Sequence, residues 1–307
     1  MAEAELLEEL RPAAFAIAYR MLGSVSEAED AVQEGLLRLH RALDAGERVE
    51  SPRAYLATVV TRLGIDQLRS ARARRERYVG EWLPEPLVTS EEADPARHVE
   101  MADSLSLAFL VLLERLTPEQ RAVFLLREVF DYPYDEIAEI VGKSEPNTRQ
   151  LAARARRRVE EGRPRFDASR EQRDELARRF FQAAEEGDLE GLEKLLAADV
   201  ELHGDGGGKV PALARPLFGR SRVARTLAAW ARAGARIGGF SVRRVELNGQ
   251  PGAMTMDRAG RLISVLALDI ADGQIQVVRS IVNPDKLEHL GAVADIGAML
   301  RGRSAGP

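Results

Sequence analysis

The residues with the most specific chemistry lie between Tyr134 and Arg158, where two short helices are predicted on either side of a turn. Ala138 and Gly142 stand four residues apart, a spacing typical of a helix-turn-helix, with a small residue at the helix crossing and a glycine in the turn. The second helix of that motif enters the major groove of DNA and sets its polar face against phosphates. We therefore expect the following side chains to face a duplex: Ser144, Arg149, Gln150, Arg154 and Arg157.

The charge of this region supports the same interpretation. The stretch 143–165 holds eight basic and three acidic residues, a local charge of +5, although the whole chain has a formal net charge of −5. A basic stretch of this kind is the electrostatic footprint of nucleic-acid binding. The alternative is an ordinary helix pair with an arginine-rich solvated face.

A second basic stretch, 69–77, closes an earlier helix and contains five arginines and one glutamate. Arginines for phosphates and an aromatic ring for stacking are what a protein needs to hold single-stranded DNA. The helix is predicted to carry a polar and aromatic outer face, and charged helix ends that are merely solvated are the alternative. The predicted outer face comprises Tyr55, Thr58, Thr61, Arg62, Asp66 and Gln67.

Helices must position both stretches. Apolar residues at three- and four-residue intervals over 6–22 predict a first helix that ends at Gly23. Ser26 begins a predicted capping box for the second helix, and Ser51, followed by a proline, predicts the start of the third. The proline-rich, acidic stretch 78–95 lacks periodicity and predicts a linker.

Beyond the linker, the sequence predicts helices again and then strands. A helix over 99–113 precedes one that starts at a Thr117 capping box and runs to about Phe130. Further helices are predicted over 172–186 and 189–196. Helices followed by strands indicate an α+β arrangement, in which an antiparallel meander wraps around the helices. The predicted strands are 242–247, 252–256, 262–269 and 274–282.

Composition excludes several classes of protein. The chain of 307 residues has no cysteine, so we expect no disulfide, thiol catalysis or zinc finger. Its four histidines are scattered, and neither a metal nor a cofactor is predicted. No apolar run approaches the roughly 20 residues of a membrane-spanning helix, and no signal peptide is recognisable. We therefore expect a cytoplasmic protein that does not contact a membrane.

Three segments of the chain resemble a known family. The segment 26–43 resembles the helix by which bacterial extracytoplasmic-function sigma factors bind the RNA polymerase clamp. The segment 51–70 resembles the promoter-melting helix of sigma region 2, and 116–159 resembles sigma region 4, whose helix-turn-helix reads the upstream promoter element. The chain departs from the pattern of this family at three positions. Arg62 stands where many members have asparagine, and Lys143 and Thr148 stand where they have apolar residues.

The resemblance implies partners and site residues. The partners are core RNA polymerase, through the clamp of the β′ subunit and the β subunit, and promoter DNA. The implied polymerase-binding residues are Asp30, Gln33, Glu34 and Arg38. The implied DNA-binding residues are Arg53, Tyr55, Thr58, Arg62 and Arg69, together with the five of the helix-turn-helix.

Residues 173–290 resemble the SnoaL-like (NTF2-like) cone-shaped α+β domain that the SigJ-like subfamily carries as an in-chain regulator. Three segments carry this resemblance: 82–86, 205–209 and 283–287. We expect an intramolecular contact between Trp82 and the C-terminal domain; a tryptophan resting on its own helical domain and a glycine run that only forms a turn are the alternatives. The implied regulatory contacts are Trp82, Asp205, Gly206, Gly207, Gly208, Lys209, Asn283, Pro284, Asp285 and Lys286.

Other functions remain open for the third domain. SnoaL-like folds also host isomerases and cyclases, so His203, Asp205, Asp257 and Asp269 are candidate acid–base groups, although no complete catalytic site is recognisable. An unidentified small ligand is a further alternative. For the whole chain, a simple DNA-binding regulator that acts without polymerase competes with a sigma factor, and the clamp-like helix argues against it.

The predicted fold class is multidomain, with two all-α helical sigma domains followed by an α+β domain. Sigma region 2, for polymerase and the minus-ten element, is assigned to 1–77, and the linker to 78–98. Sigma region 4, for the minus-thirty-five element, is assigned to 99–165. The SnoaL-like domain is assigned to 173–290 and a tail to 291–307. The chain is predicted to be a transcription initiation factor and not an enzyme.

Overall fold

Three long helices form the N-terminal part of the chain in a computed structural model, which describes residues 3–75, 78–89, 104–162, 169–236 and 239–301. Apolar stripes on these helices pack against one another, as the sequence predicts. Their bounds are α1 (Glu3–Leu22), α2 (Val25–Asp44) and α3 (Pro52–Arg75).

Of the three end signals predicted for these helices, two are confirmed. Gly23 ends α1 in the left-handed conformation, at φ 67°, and Ser51 accepts a hydrogen bond from the Ala54 amide at the start of α3. The prediction for α2 is wrong by two residues. Ser24, which is extended after the glycine turn, accepts the cap bond from the Glu27 amide, and Ser26 already lies in the first helical turn.

A glycine allows α2 and α3 to approach closely. A Cβ atom at Gly35 would lie 2.7 Å from Leu56 Cδ1 and 3.2 Å from Val60 Cγ1. Both distances are shorter than ordinary van der Waals contact, so the crossing of these two helices requires the missing side chain. Gly35 therefore sets the packing of the helix that carries the predicted polymerase-binding residues.

Four further helices and a π-helical turn complete the first unit. The Thr117 capping box is confirmed, because Thr117 Oγ1 accepts from the Gln120 amide and Gln120 Oε1 accepts from the Thr117 amide. The helix predicted over 99–113 is described only from residue 104, and 99–103 lie outside the described residues. The elements are α4 (Leu107–Leu113), α5 (Pro118–Phe124), the π-helical turn (Leu125–Val129), α6 (Tyr134–Val141) and α7 (Glu145–Glu160).

The two helical parts pack into one unit, drawn from Met1–Arg77 and Phe109–Arg163. Arg121 of α5 is 1% exposed. Its Nε donates to the Arg20 carbonyl of α1 at 3.0 Å, and its Nη1 pairs with Glu114 at 2.5 Å. Burial lowers the pKa of Arg121 to about 9, which leaves the side chain cationic at neutral pH. A buried cation therefore joins the part that carries α1 to the part that carries the helix-turn-helix.

The second unit, drawn from Tyr78–Ala108 and Pro164–Pro307, is α+β. Its main elements are α8 (Arg170–Glu186), α9 (Leu189–Leu195), β1 (Leu196–Asp205), β2 (Leu217–Phe218), α10 (Arg220–Arg236), β3 (Ser241–Leu247), β4 (Gln250–Met256), β5 (Leu262–Ala271) and β6 (Gln274–Ile281), followed by a short α11 (Ile296–Arg301). Three helices cover a six-stranded sheet of order β2-β1-β6-β5-β4-β3, in which β3 to β6 form the predicted antiparallel meander. The sequence analysis missed β1, which pairs in parallel with β6, the short β2 and α10.

The linker segment, residues 78–89, packs within this second unit. Val88 forms an antiparallel bridge with Leu247, and the Thr89 amide donates to the Glu246 carbonyl at 3.0 Å. Asn248, at φ 53°, accepts from the Leu87 amide through its side chain and donates to the Leu87 carbonyl through its backbone. The segment thus covers part of the outer edge of β3, an edge that would otherwise present unpaired backbone groups.

Among the described residues, no helix combines the length and the apolar character that crossing a bilayer needs. The structure has the predicted order of folds, with helical parts followed by an α+β domain.

Candidate DNA interface and linker-docking site

The helix-turn-helix is formed by α6 and α7. Gly142 ends α6 in the left-handed conformation, and the motif has its own small core. One face of α7 is buried, at Thr148, Ala152, Ala155 and Val159. The Thr148 hydroxyl donates to the Ser144 carbonyl at 3.1 Å. This polar residue is therefore accommodated on the buried face of the motif.

The face of α7 opposite the buried residues carries Gln150, Arg154 and Arg157. They lie four and seven residues apart, hence on one stripe of the helix, and all three are exposed. Within the part of the chain that the structure describes, neither Arg154 nor Arg157 forms an ion pair. Both guanidinium groups are therefore available to a phosphate.

Two other predicted DNA-binding residues of this motif sit differently. Arg149 lies on the flank of α7, where its guanidinium stacks over the Tyr134 ring at 4.4 Å and pairs with Glu145 at 2.5 Å. Ser144 is the exposed N-cap residue of α7, but its hydroxyl makes no capping bond. Arg149 is therefore already engaged by side chains of the motif itself.

On α3, the structure brings predicted DNA-binding residues against the helix-turn-helix part. Arg62 donates to the carbonyls of Glu139 and Ile140, at 2.9 and 3.0 Å. These carbonyls belong to the last turn of α6, where backbone acceptors lack helical partners and the helix dipole favours a cation. Arg62 therefore acts here as a cap for α6.

Two more arginines of α3 lie near side chains of the later helical part. Arg69 pairs with Glu119 at 2.6 Å, and this ion pair raises the pKa of Arg69. Burial raises the pKa of Tyr132, and the nearby Arg53 opposes that rise. Tyr55 and Thr58 are half-buried. Arg62 and Arg69 are therefore engaged within the first unit.

One residue was placed on the wrong face of α3. Thr61 is completely buried, and its hydroxyl has no hydrogen-bond partner among the described residues. The sequence offered no signal against it, since threonine suits either face.

The predicted polymerase-binding residues form a stripe on α2. Asp30 and Gln33 are exposed, and Glu34 forms an ion pair with Arg38 at 2.7 Å. Sequence analysis missed Leu37, which is 41% exposed. It stands seven residues after Asp30, so it continues the stripe as an apolar contact point. Its spacing of seven residues from Asp30 could have placed it on this stripe from the sequence alone.

In the second unit, the linker segment docks around one buried carboxylate. Asp205, at the end of β1, is 0% exposed. It accepts hydrogen bonds from the Tyr78 hydroxyl at 2.5 Å, the Leu83 amide at 2.8 Å and Lys286 Nζ at 2.6 Å. Asn283 donates to the same Tyr78 hydroxyl at 2.9 Å. Tyr78, Trp82, Asp205, Asn283 and Lys286 are called the Asp205 cluster below.

Lys286 joins the linker to the sheet. Besides its ion pair with Asp205, its ammonium donates to the Leu83 carbonyl. It also lies 4.3 Å from the Trp82 ring centroid and 5.0 Å from that of Tyr78. A buried ion pair holds only when further partners satisfy both charges, and here the linker supplies them. Burial and the hydrogen bond to Asp205 raise the pKa of Tyr78, which keeps the phenol a donor.

The glycine run permits this close docking. A Cβ atom at Gly207 would lie 2.4 Å from Asn283 Nδ2, and one at Gly208 would lie 2.8 Å from Val79 Cβ. Both residues also have positive φ, so a side chain would be strained as well as obstructed. The run is a turn, as the alternative held, and it is also a contact surface. Lys209 and Asp285 form an exposed ion pair beside it.

His203 adds a polar contact between the linker and β1. Its ring nitrogens bond to Glu81 at 2.7 Å and Glu201 at 2.8 Å. Burial opposes its charge, but the two carboxylates prevail and raise the pKa of His203. The other candidate acid–base groups are also engaged structurally. Asp257 binds Arg261 and nearby amides, and Asp269 pairs with Arg279.

Comparison with known proteins identifies the class. Residues 6–74 match the family model for Sigma-70 region 2, and residues 106–159 match that for Sigma-70, region 4. The fold and its two helical regions thus define a sigma-70-type factor. The chain is 40% identical to the ECF RNA polymerase sigma factor SigJ of Mycobacterium tuberculosis, over 92% of this chain and 93% of that protein. It therefore belongs to the extracytoplasmic-function RNA polymerase sigma factors.

Further relatives agree with this assignment. The probable ECF RNA polymerase sigma factor SigI of Mycobacterium tuberculosis is 36% identical, over 90% of this chain and 91% of that protein. The crystal structure of Mycobacterium tuberculosis SigJ superposes with a TM-score of 0.73 at 35% identity, covering 93% of this chain and 98% of that one.

Proposed function

We propose that this sigma factor binds core RNA polymerase through the stripe Asp30, Gln33, Glu34 and Leu37 of α2, and reads promoter DNA through α7. The observation that carries the proposal is the stripe itself. Polar and acidic groups surround an exposed leucine on a helix whose opposite face is buried against α1 and α3. A polar rim around an apolar contact is the usual anatomy of a protein interface.

Reversing two charges of the stripe tests this proposal. We expect an Asp30→Arg, Glu34→Arg double variant to lose at least tenfold in affinity for purified core polymerase, because like charges and lost hydrogen bonds oppose docking. A Glu9→Arg, Asp199→Arg variant makes the same change in net charge at exposed positions elsewhere and should bind as the parent does. Equal binding by the stripe variant would refute the assignment.

The C-terminal domain modulates this activity through the linker, in our proposal, and does so by contact and not by catalysis. The Asp205 cluster supports this, because the domain's buried carboxylate takes two of its hydrogen bonds from the linker segment. The four candidate acid–base groups lie outside the lining of the domain's large cavity. Since the linker joins sigma regions 2 and 4 in the sequence, docking it restricts how these regions can separate on polymerase.

Removing the Trp82 ring tests the modulation. The ring contributes a cation–π contact to Lys286 worth about 1 kcal/mol, so Trp82→Ala should shift the docking equilibrium several-fold. We expect promoter-dependent transcription with purified polymerase to change accordingly, whereas Trp82→Phe, which keeps an aromatic face, should stay close to the parent. Identical output from parent and Trp82→Ala would remove the linker contact from regulation.

A further inference from the structure

The C-terminal domain has a large apolar cavity, partly open to solvent, between α8, α10 and the strands β4, β5 and β6. Its volume is about 430 Å³, within the range of about 300–1000 Å³ typical of small-molecule sites. The aromatic and aliphatic lining includes Phe180, Phe181, Leu227, Trp230, Phe240 and Leu266.

The lining determines the charge of a suitable occupant. Glu185 is the one ionisable side chain among the described residues that line the cavity, and burial raises its pKa, with Glu186 adding to the effect and Arg244 opposing it. Because no lysine, arginine or histidine of the described lining faces the cavity, a bound anion would lose its hydration without compensation. The hydroxyls of Thr255, Ser264 and Ser280 offer hydrogen bonds to one or two neutral polar groups.

The cavity shares two strand ends with the Asp205 cluster. Gly204 and Ser280, paired across β1 and β6, line the cavity, while the next residue of β1, Asp205, holds the linker. Successive residues of a strand point to opposite faces, so one strand end serves both sites. The same alternation places Val282 at the cavity and Asn283 at Tyr78.

Backbone bonds make this connection rigid. The amides of Val282 and Asn283 both donate to the Asp205 carbonyl, at 2.9 and 3.0 Å. A molecule that displaces Gly204 or Val282 from the cavity side must therefore move the atoms that position the Asp205 carboxylate. The turn at Gly206 leads directly into Pro211 and Leu213, which also line the cavity.

We propose that this cavity binds an uncharged, largely apolar small molecule and that its occupancy is coupled to docking of the linker segment through the ends of β1 and β6. The coupling part rests on the proposed modulation through the linker; the binding part does not. Coupling between two sites is reciprocal. If ligand binding changes the equilibrium constant for linker docking by some factor, then docking changes the affinity of the cavity for the ligand by the same factor, and loosening the linker must alter that affinity.

The test measures binding of the neutral fluorophore N-phenyl-1-naphthylamine to the full chain by the fluorescence of the probe, which is excited directly and not through tryptophan. An anionic anilinonaphthalene sulfonate serves for comparison. We expect saturable binding of the neutral probe and at least tenfold weaker binding of the anion. Ala233→Phe and Thr255→Phe fill the cavity from the helix side and the sheet side and should each abolish binding with unchanged circular dichroism. Probe binding that survives in both folded variants would overturn the site, as would absence of saturable binding to the parent.

Coupling has its own readout. Trp82→Ala, which leaves every cavity-lining residue in place, should shift the dissociation constant of the neutral probe at least threefold, while Trp82→Phe should not. An unchanged constant in Trp82→Ala would overturn the coupling. Because no polymerase is present, this result is distinguishable from a failure of the proposed modulation, which appears only in transcription.

Discussion

At the scale of single residues, the same arginine side chains carry different roles according to where the fold places them. Arg154 and Arg157 extend from α7 opposite its buried face, whereas Arg149 is stacked on Tyr134 and paired with Glu145. Arg62 caps α6. Equal formal charges are therefore unequal in their availability to DNA, and the unpaired ones are the first candidates for phosphate contacts.

Arg157→Ala tests this at the residue scale. Each neutralised phosphate releases counterions, so losing one contact should lower the slope of log affinity against log salt by about 1 and weaken binding at every promoter alike. Promoter binding measured across a salt series checks this. Arg178→Ala removes an arginine of the second unit that is already paired with Glu175 and serves as the control. A parent-like affinity and slope for Arg157→Ala would exclude this residue from the interface.

At the scale of elements, α5 and α6 are held against α1 and α3 by contacts to backbone carbonyls. Arg121 binds the Arg20 carbonyl from a fully buried position, and Arg62 binds the end of α6. Carbonyl acceptors fix a helix by its geometry and not by a particular partner side chain. The arrangement occupies arginines of α3 that are predicted to contact the promoter, so DNA binding must compete with it.

Arg121→Met should loosen this arrangement. The variant loses a buried charged hydrogen bond and leaves Glu114 without this partner. We expect the free energy of unfolding to fall by about 2–3 kcal/mol. Because the chain has no cysteine, a Gln33→Cys, Gln150→Cys background can be labelled specifically for energy transfer, and we expect a lower transfer efficiency in Arg121→Met. Arg154→Met removes the same charge from the surface and should leave the efficiency unchanged. Equal efficiencies in all three proteins would contradict the role of Arg121.

At the scale of the whole molecule, the sequence order and the packing order differ. The linker segment lies between the two sigma regions in sequence, yet it packs with the C-terminal unit, where it lines an edge of β3 and surrounds Asp205. The proposed modulation within one chain rests on this packing, because the segment that connects the two sigma regions is held by the C-terminal unit.

The sequence alone determined the class of protein and most elements. Periodicity, caps and glycine stops depend on neighbours within a few residues, so α3, α5, α6 and the β3–β6 meander could be predicted. The two sigma motifs, in the right order, indicated the function. Local information failed at Ser26, where the preceding glycine turn shifted the cap to Ser24, and at β1, whose partner β6 is distant in sequence.

Only the tertiary structure decided which polar residues meet. Nothing local shows that Thr61 is buried, that Arg62 reaches α6, or that Asp205 and Lys286 form a buried pair completed by linker backbone. Such contacts join residues far apart in the chain, and their energy depends on burial and on partners supplied by other elements. The composition could not reveal the cavity either, because its apolar lining has the same residue types as an ordinary core.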